Sequence, residues 1–291
     1  MKIAVLSDIH GNVPALRKVT EHIESWKPDH VIVNGDTVNR GPCSGRALRF
    51  VLDKQKTDGW DLLRGNHEDY LLRCALPDTA RFGPRFEVNR FAHFAYDQLN
   101  GEIKALVDMP ERFSWIAPDS SEFRVVHASM RSNRDGIYVE LSDSELREKI
   151  KPAPAVFVTG HTHQPMIRQI DQTLVVNTGS VGAPFDLDWR PSYGRFTWSP
   201  GNGWQADIIR VEYDRLLAER DFVTSGFLED GGPLAQIMLV ELRRSRGLIY
   251  HWASQYEEAV INEEISIEES VKRVLQEDEI RPFLGSPGWT L

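Results

Sequence analysis

Apolar residues first appear as a short block, IAVLS at 3–7. They then recur at helical spacing through NVPALRKVTEHIESW at 12–26, where Pro14 falls in the first turn and is tolerated. The same change of period repeats: HVIVN follows Pro28 as a second strand, SGRALRFVLDK as a second helix and WDLLR as a third strand. Such alternation predicts a mostly parallel sheet covered by helices. From Glu68 to about Asp108 the pattern turns helical and irregular, as expected of an insertion above the sheet, and we bound that insertion at 68–112. FRVV and AVFVT are short apolar strands on either side of a helix whose entry carries the capping box Ser142 with Glu145. MIRQI, TLVVN, YGRFTWS and WQADIIRV follow as successive strands separated by turn residues such as Asp171-Gln172 and Pro200-Gly201-Asn202-Gly203. Two facing sheets with helices outside are the expected arrangement.

After Tyr213 the text is helical again. It includes PLAQIMLVELRRSRGLIYHWASQYEEAV and a last helix capped by Ser266 with Glu269. We therefore divide the chain at 212 into a 1–212 domain and a mainly helical 213–291 extension. The extension has an apolar side (Ile237, Leu239, Val240, Ile249, Trp252), which predicts packing on the sandwich or on a second subunit, so these helices could carry a homo-oligomer interface.

Composition narrows the function classes. At 291 residues, with 41% hydrophobic and 26% charged positions, the chain can bury one large core, or a core domain plus an appendage. Asp8 interrupts the first apolar run, and no stretch approaches the ~20 apolar residues needed to cross a bilayer. We expect a cytoplasmic protein with no membrane partner. Cys43 and Cys74 show no paired spacing and are assigned to packing. Of the net charge of −9, residues 255–280 supply most, with nine acids against Lys272 and Arg273. That tail repels polyanions, which argues against an extended nucleic-acid surface and leaves room for a small anion in a local positive pocket.

Residues able to bind metal recur where the apolar strands stop. IAVLS is followed by Asp8 and His10, VIVNG by Asp36, DLLRG by Asn66 and His67, RVV by His127, and FVTG by His161 and His163. Ligands in open α/β sheets bind outside the carboxyl ends of strands, so these five strand ends could converge on one crevice. A single Asp or His is more often a cap or a satisfied core residue, but five such coincidences in order are not explained that way.

SDIHGN, NGDTVNRGP, LRGNHE, VVHAS and VTGHTHQP together resemble the calcineurin-like metallophosphoesterases, and NTGSVGAP at 177–184 is similar to a loop of their bacterial phosphodiesterase-like members. The resemblance spans residues 1 to about 212. It implies a four-layer α/β/β/α sandwich with two divalent metal ions at the strand ends. By position, Asp8, His10, Asp36 and His163 would hold one ion and Asp36, Asn66, His127 and His161 the other, with Asp36 bridging. Spacing alone would also let His161 and His163 converge on one ion. Counting ligands separates them, because giving both to one ion leaves five bonds on one side and three on the other. Carboxylate, imidazole and amide ligands without thiolate suit Mn²⁺, Fe²⁺ or Zn²⁺. Such a pair lowers the pKa of a bridging water and clamps phosphoryl oxygens, so the expected reaction is hydrolysis of a small phosphorylated substrate by hydroxide attack.

His67 resembles the family's catalytic histidine, and Arg40 the phosphate-binding arginine of its Ser/Thr phosphatase branch, where a guanidinium fork would grip two phosphoryl oxygens. That branch carries an acidic residue where this chain has Asn39, which can orient His67 by a hydrogen bond but brings no charge. The expected substrate is therefore a small phosphomonoester, phosphodiester or nucleotide. Diadenosine polyphosphate hydrolysis or protein phosphatase activity is the alternative within the class. A non-catalytic protein-binding module on the same fold, as occurs in a retromer subunit, is the alternative of another class, disfavoured because every ligand position is filled. His22, His30, His93 and His251 are assigned to packing or the surface.

Overall fold

The computed structural model describes residues 1–286 and 289–290. Its centre is two five-stranded sheets. The first has the order β10-β9-β1-β2-β3, built from β1 (Lys2–Leu6), β2 (His30–Asn34), β3 (Asp61–Leu63), β9 (Ser192–Ser199) and β10 (Gly203–Arg210). The second has the order β4-β5-β6-β8-β7, from β4 (Arg112–Ile116), β5 (Glu122–Val126), β6 (Val156–Thr159), β7 (Met166–Ile170) and β8 (Thr173–Asn177). The strands β1, β2 and β3 run parallel, as do β5, β6 and β8, and the remaining neighbours are antiparallel.

Alternation along each strand assigns its two faces. Ile3, Val5 and Ile32 point between the sheets, where they meet Phe123, Val125, Val156, Val158 and Val176. Their neighbours Ala4, Leu6, Val31 and Val33 point outward, beneath α1 (Val13–Trp26) and α2 (Ser44–Asp58). On the far side Phe157 and Val175 face α6 (Asp143–Ile150). Burial on both faces explains why these strands read as continuous apolar runs, and it yields the two sheets with helices on either side that the sequence leads one to expect.

Two elements depart from the sequence pattern. The edge strand β4 is not announced by its RFSWI run, because only Phe113 and Trp115 are even partly buried and Ser114 interrupts them. The long helical text after Gly232 divides into α9 (Leu234–Arg244) and α10 (Ile249–Trp252), the latter continuing through a π turn (Ala253–Glu257) into α11 (Glu258–Ile261). The break falls at Ser245, whose φ of 52° ends the helix in the left-handed region, just before Gly247.

The extension is part of the fold. Ala218 and Phe222 of α7 (Arg215–Thr224), Phe227, and Ala235, Met238 and Leu239 of α9 join the core formed by α1, α2 and the outer face of the first sheet. Ile237, Val240, Trp252 and Val271 form a second core with Val88 of α4 (Pro84–Asp97). The apolar side read from the sequence is thus split between two neighbours within one chain. Among the described residues no helix is long and apolar enough to cross a membrane. Removing the chain after Tyr213 uncovers the apolar surface beneath α7 and α9. Size-exclusion chromatography of that truncation should show aggregation, and a monodisperse, cooperatively melting product would contradict this packing.

Candidate metal centre

The carboxyl ends of β1, β2, β3, β5 and β6 all open on one side of the sandwich, and the loops leaving them bring Asp8, His10, Asp36, Asn66, His127, His161 and His163 together. The loops lie close because glycines allow it. A Cβ on Gly65 would collide with Asp36 Oδ1, and one on Gly160 with Ser7 and Asp8. Asp8, His10, Asp36, Asn39, Arg40, His161 and His163 all hold positive φ, between 49° and 67°. Non-glycine residues adopt this region at a cost, and such residues gather where a site demands a particular side-chain direction.

The donors fall into two groups on either side of Asp36, with His67 close enough to His10 and Asp36 to make a third. Asp8 Oδ1 lies 3.2 Å from His163 Nε2 and 3.8 Å from His10 Nε2, and the two imidazole nitrogens are 3.1 Å apart. On the other side Asn66 Oδ1 lies 3.0 Å from His127 Nε2 and 2.9 Å from His161 Nδ1. Asp36 Oδ2 sits between them, 3.8 Å from His10 Nε2 and 3.2 Å from His127 Nε2. Its partner oxygen Oδ1 is already committed, accepting the backbone N–H of His67 at 2.8 Å. His163 thus falls beside Asp8 and His10, and His161 beside Asn66 and His127.

Hydrogen bonds at the outer atoms fix what the inner atoms present. His127 Nδ1 donates to Asn34 O at 2.8 Å and His163 Nδ1 to Ala183 O at 2.6 Å, so on each ring it is Nε2 that turns inward, able to offer a lone pair once it carries no proton. Asp8 Oδ2 accepts from Ser7 Oγ and from His161 N, whereas Oδ1 is buried with no hydrogen-bond partner, as is His10 Nδ1. Lone pairs of imidazole, carboxylate and amide therefore converge in a buried space, which is unfavourable unless a cation lies among them. The residues fit divalent metal ions.

The titration behaviour has the same cause. Burial works against a charge on His127, but the Asp36 carboxylate prevails and pushes its pKa up to about 10. Burial lowers His10 to about 3 and His161 to about 4, leaving both neutral. Glu68 is buried and accepts three backbone N–H groups, from Asp36 at 2.9 Å, Thr37 at 2.7 Å and Gly65 at 2.8 Å. It ties the β2 loop, which carries Asp36, to the start of α3 (Asn66–Cys74), which carries Asn66.

His67 stands beside the centre, its ring 4.9 Å from that of His10. Asn39 Oδ1 accepts the N–H of Arg40, which turns its amide nitrogen toward His67 Nδ1 at 3.0 Å. The neutral His67 ring therefore carries its proton on Nε2, and burial, opposed by Asp36, holds its pKa well below the usual histidine range. Arg40 lies at the rim, with its guanidinium over the Phe185 ring, which in turn stacks on His163. Its Nη2 reaches Glu241 in α9, a residue the sequence does not single out. The other histidines lie apart from this centre: His22 beside Tyr193, His93 beside Arg81 and His251 beside Glu277. Both cysteines are buried and free.

Residues 1–199 match the calcineurin-like phosphoesterase superfamily domain. The chain is similar to an uncharacterized protein of Methanocaldococcus jannaschii, 23% identical over 227 residues that cover 73% of this chain and 88% of the relative. Its fold is shared with a hypothetical protein of Pyrococcus horikoshii, with a TM-score of 0.68, 20% identity, and 80% of this chain and 97% of that chain covered. A metallophosphoesterase of Sphaerobacter thermophilus superposes with a TM-score of 0.65 at 23% identity, covering 84% of this chain and all (100%) of the other.

A cation entering beside His127 competes with the proton that the Asp36 carboxylate favours on this ring, whereas burial keeps His10 and His161 neutral. Metal uptake at pH 7 should release protons, and affinity should rise with pH. Calorimetry in two buffers of different ionisation enthalpy measures this. Uptake with no proton release would contradict the assignment.

Proposed function

The chain belongs to the calcineurin-like phosphoesterase superfamily, and on that premise we propose that it is a dinuclear metal-dependent hydrolase of a small phosphomonoester, phosphodiester or nucleotide. The observation that carries this reading is the position of Asp36 Oδ2, a single buried carboxylate oxygen within 3.8 Å of one donor group and 3.2 Å of the other. Asp8, His10 and His163 would hold one ion, Asn66, His127 and His161 the second, and Asp36 both. The donor set suits Mn²⁺, Fe²⁺ or Zn²⁺. When bound, two such ions lower the pKa of a coordinated water and offset charge on phosphoryl oxygens.

The chain's own groups supply the rest. Asn34 and Ala183 carbonyls orient the His127 and His163 rings and raise their basicity as ligands. His67, held by Asn39 with its proton on Nε2, donates a hydrogen bond to the oxygen that leaves phosphorus and stabilises the charge growing there. With no carboxylate behind it, the ring acts as a neutral donor rather than as an imidazolium acid. Arg40 offers its remaining N–H donors to the phosphoryl group.

Purified protein assayed with Mn²⁺, Fe²⁺, Co²⁺, Ni²⁺ and Zn²⁺ against phosphomonoesters, phosphodiesters and dinucleoside polyphosphates should hydrolyse at least one class, and only with metal. Activity with none of them would favour the binding-module reading. His67→Ala should keep its metal while kcat falls by about 10²-fold or more on an alkyl phosphate, whose poor leaving group needs the donor most. Unchanged turnover on that substrate would remove His67 from the mechanism.

A further inference from the structure

Glu241 belongs to the extension and lies far along the chain from every motif that marks the centre, yet it is buried against Arg40. Its Oε2 accepts from Arg40 Nη2 at 2.5 Å. Its Oε1 accepts the backbone N–H groups of Leu248 at 2.6 Å and Ile249 at 2.8 Å, where α10 begins. The carboxylate is 2% exposed and held on both oxygens, so it cannot swing away. Arg40 is 13% exposed, and its guanidinium is confined between Glu241 and the face of Phe185, at 5.4 Å from the ring centroid. One small cavity is walled by His10, Arg40, Met238 and Glu241, so α9 lies directly against the flank of the centre.

We propose that Glu241 is a positioning residue for phosphate recognition: by engaging Nη2 it fixes the guanidinium of Arg40 so that the remaining N–H donors meet the substrate's phosphoryl oxygens. This inference rests on the phosphoester reading above and adds the extension to the substrate site. A flexible arginine would lose rotamer freedom each time it gripped a phosphoryl group, whereas a pre-set fork does not. The carboxylate suits this task because it accepts on both sides. A glutamine at 241 cannot: with its oxygen toward Leu248 and Ile249, its amide N–H groups face Arg40 and expel it.

Inorganic phosphate titrated calorimetrically into the full-length Mn²⁺-loaded protein tests this. Glu241→Gln should keep metal stoichiometry and cooperative melting while its phosphate affinity falls about tenfold, and KM for a hydrolysed phosphoester should rise with little change in kcat. Arg40→Lys should lose a similar factor, and the double variant should lose no more than Arg40→Lys alone, because Glu241 acts through Arg40. Should Glu241→Gln fail to fold, Glu241→Asp keeps the charge and can still accept from the α10 N–H groups but falls a methylene short of Arg40, so the same loss is expected. Equal or tighter phosphate binding by a folded 241 variant, or losses that add in the double variant, would overturn the inference alone. A wild type that takes up Mn²⁺ but binds no phosphate would overturn the phosphoester reading and this inference with it.

Discussion

A single buried carboxylate joins the loop that carries Asp36 to the one that carries Asn66. Glu68 accepts N–H groups from Asp36 and Thr37 at the end of β2 and from Gly65 at the end of β3, so two loops that leave different strands are pinned to one point. Asp36 Oδ1 can then receive the N–H of His67, and only because it does so is Oδ2 left free between the two donor groups. The glycine at 65 is part of the same constraint, since any side chain there would displace the Asp36 carboxylate. Asn39, Arg40 and His67 stand on the same loops, so the shape of the rim of the centre depends on Glu68 too.

The centre is built at a cost borne by the rest of the fold. The carboxylates of Asp8, Asp36 and Glu68 are almost fully buried, Asp8 Oδ1 and His10 Nδ1 lack hydrogen-bond partners among the described residues, and seven residues of the centre stand on left-handed backbone. Each such feature is unfavourable by itself. The two flanking cores and the inter-sheet layer hold the loops in place nonetheless, and a cation is the natural complement to what they display. His127 shows the same tension: burial disfavours a charge on its ring, and the Asp36 carboxylate beside it favours one.

Much of this was legible along the chain because strand period and strand end are local properties. Short continuous apolar runs alternating with helical periods placed the sheets, and a polar residue within a few positions of the end of each buried run marked Asp8, Asp36, Asn66, His127 and His161. Grouping the histidines needed the resemblance and a ligand count, and the geometry places His161 and His163 with different partners. What escaped depends on distant partners. β4 is an edge strand with little burial, so its pattern is faint. Glu241 reads as one acid in an ordinary helix; its signal is that it lies among Ile237, Met238, Leu242 and other buried positions, where a charge needs a partner, but nothing local says that the partner is Arg40. Glu68 reads as a first-turn helix acid, and its reach to the preceding loop emerges only from the close approach of β2 and β3.

The central claim is that Asp36 Oδ2 is shared by two ions. An anomalous-difference map from crystals grown with saturating Mn²⁺ tests it most directly. The account predicts two peaks about 3.5–4 Å apart, one beside Asp8, His10 and His163 and one beside Asn66, His127 and His161, with the same oxygen of Asp36 ligating both. A single peak at saturation, or two ions with no carboxylate oxygen in common, would contradict it.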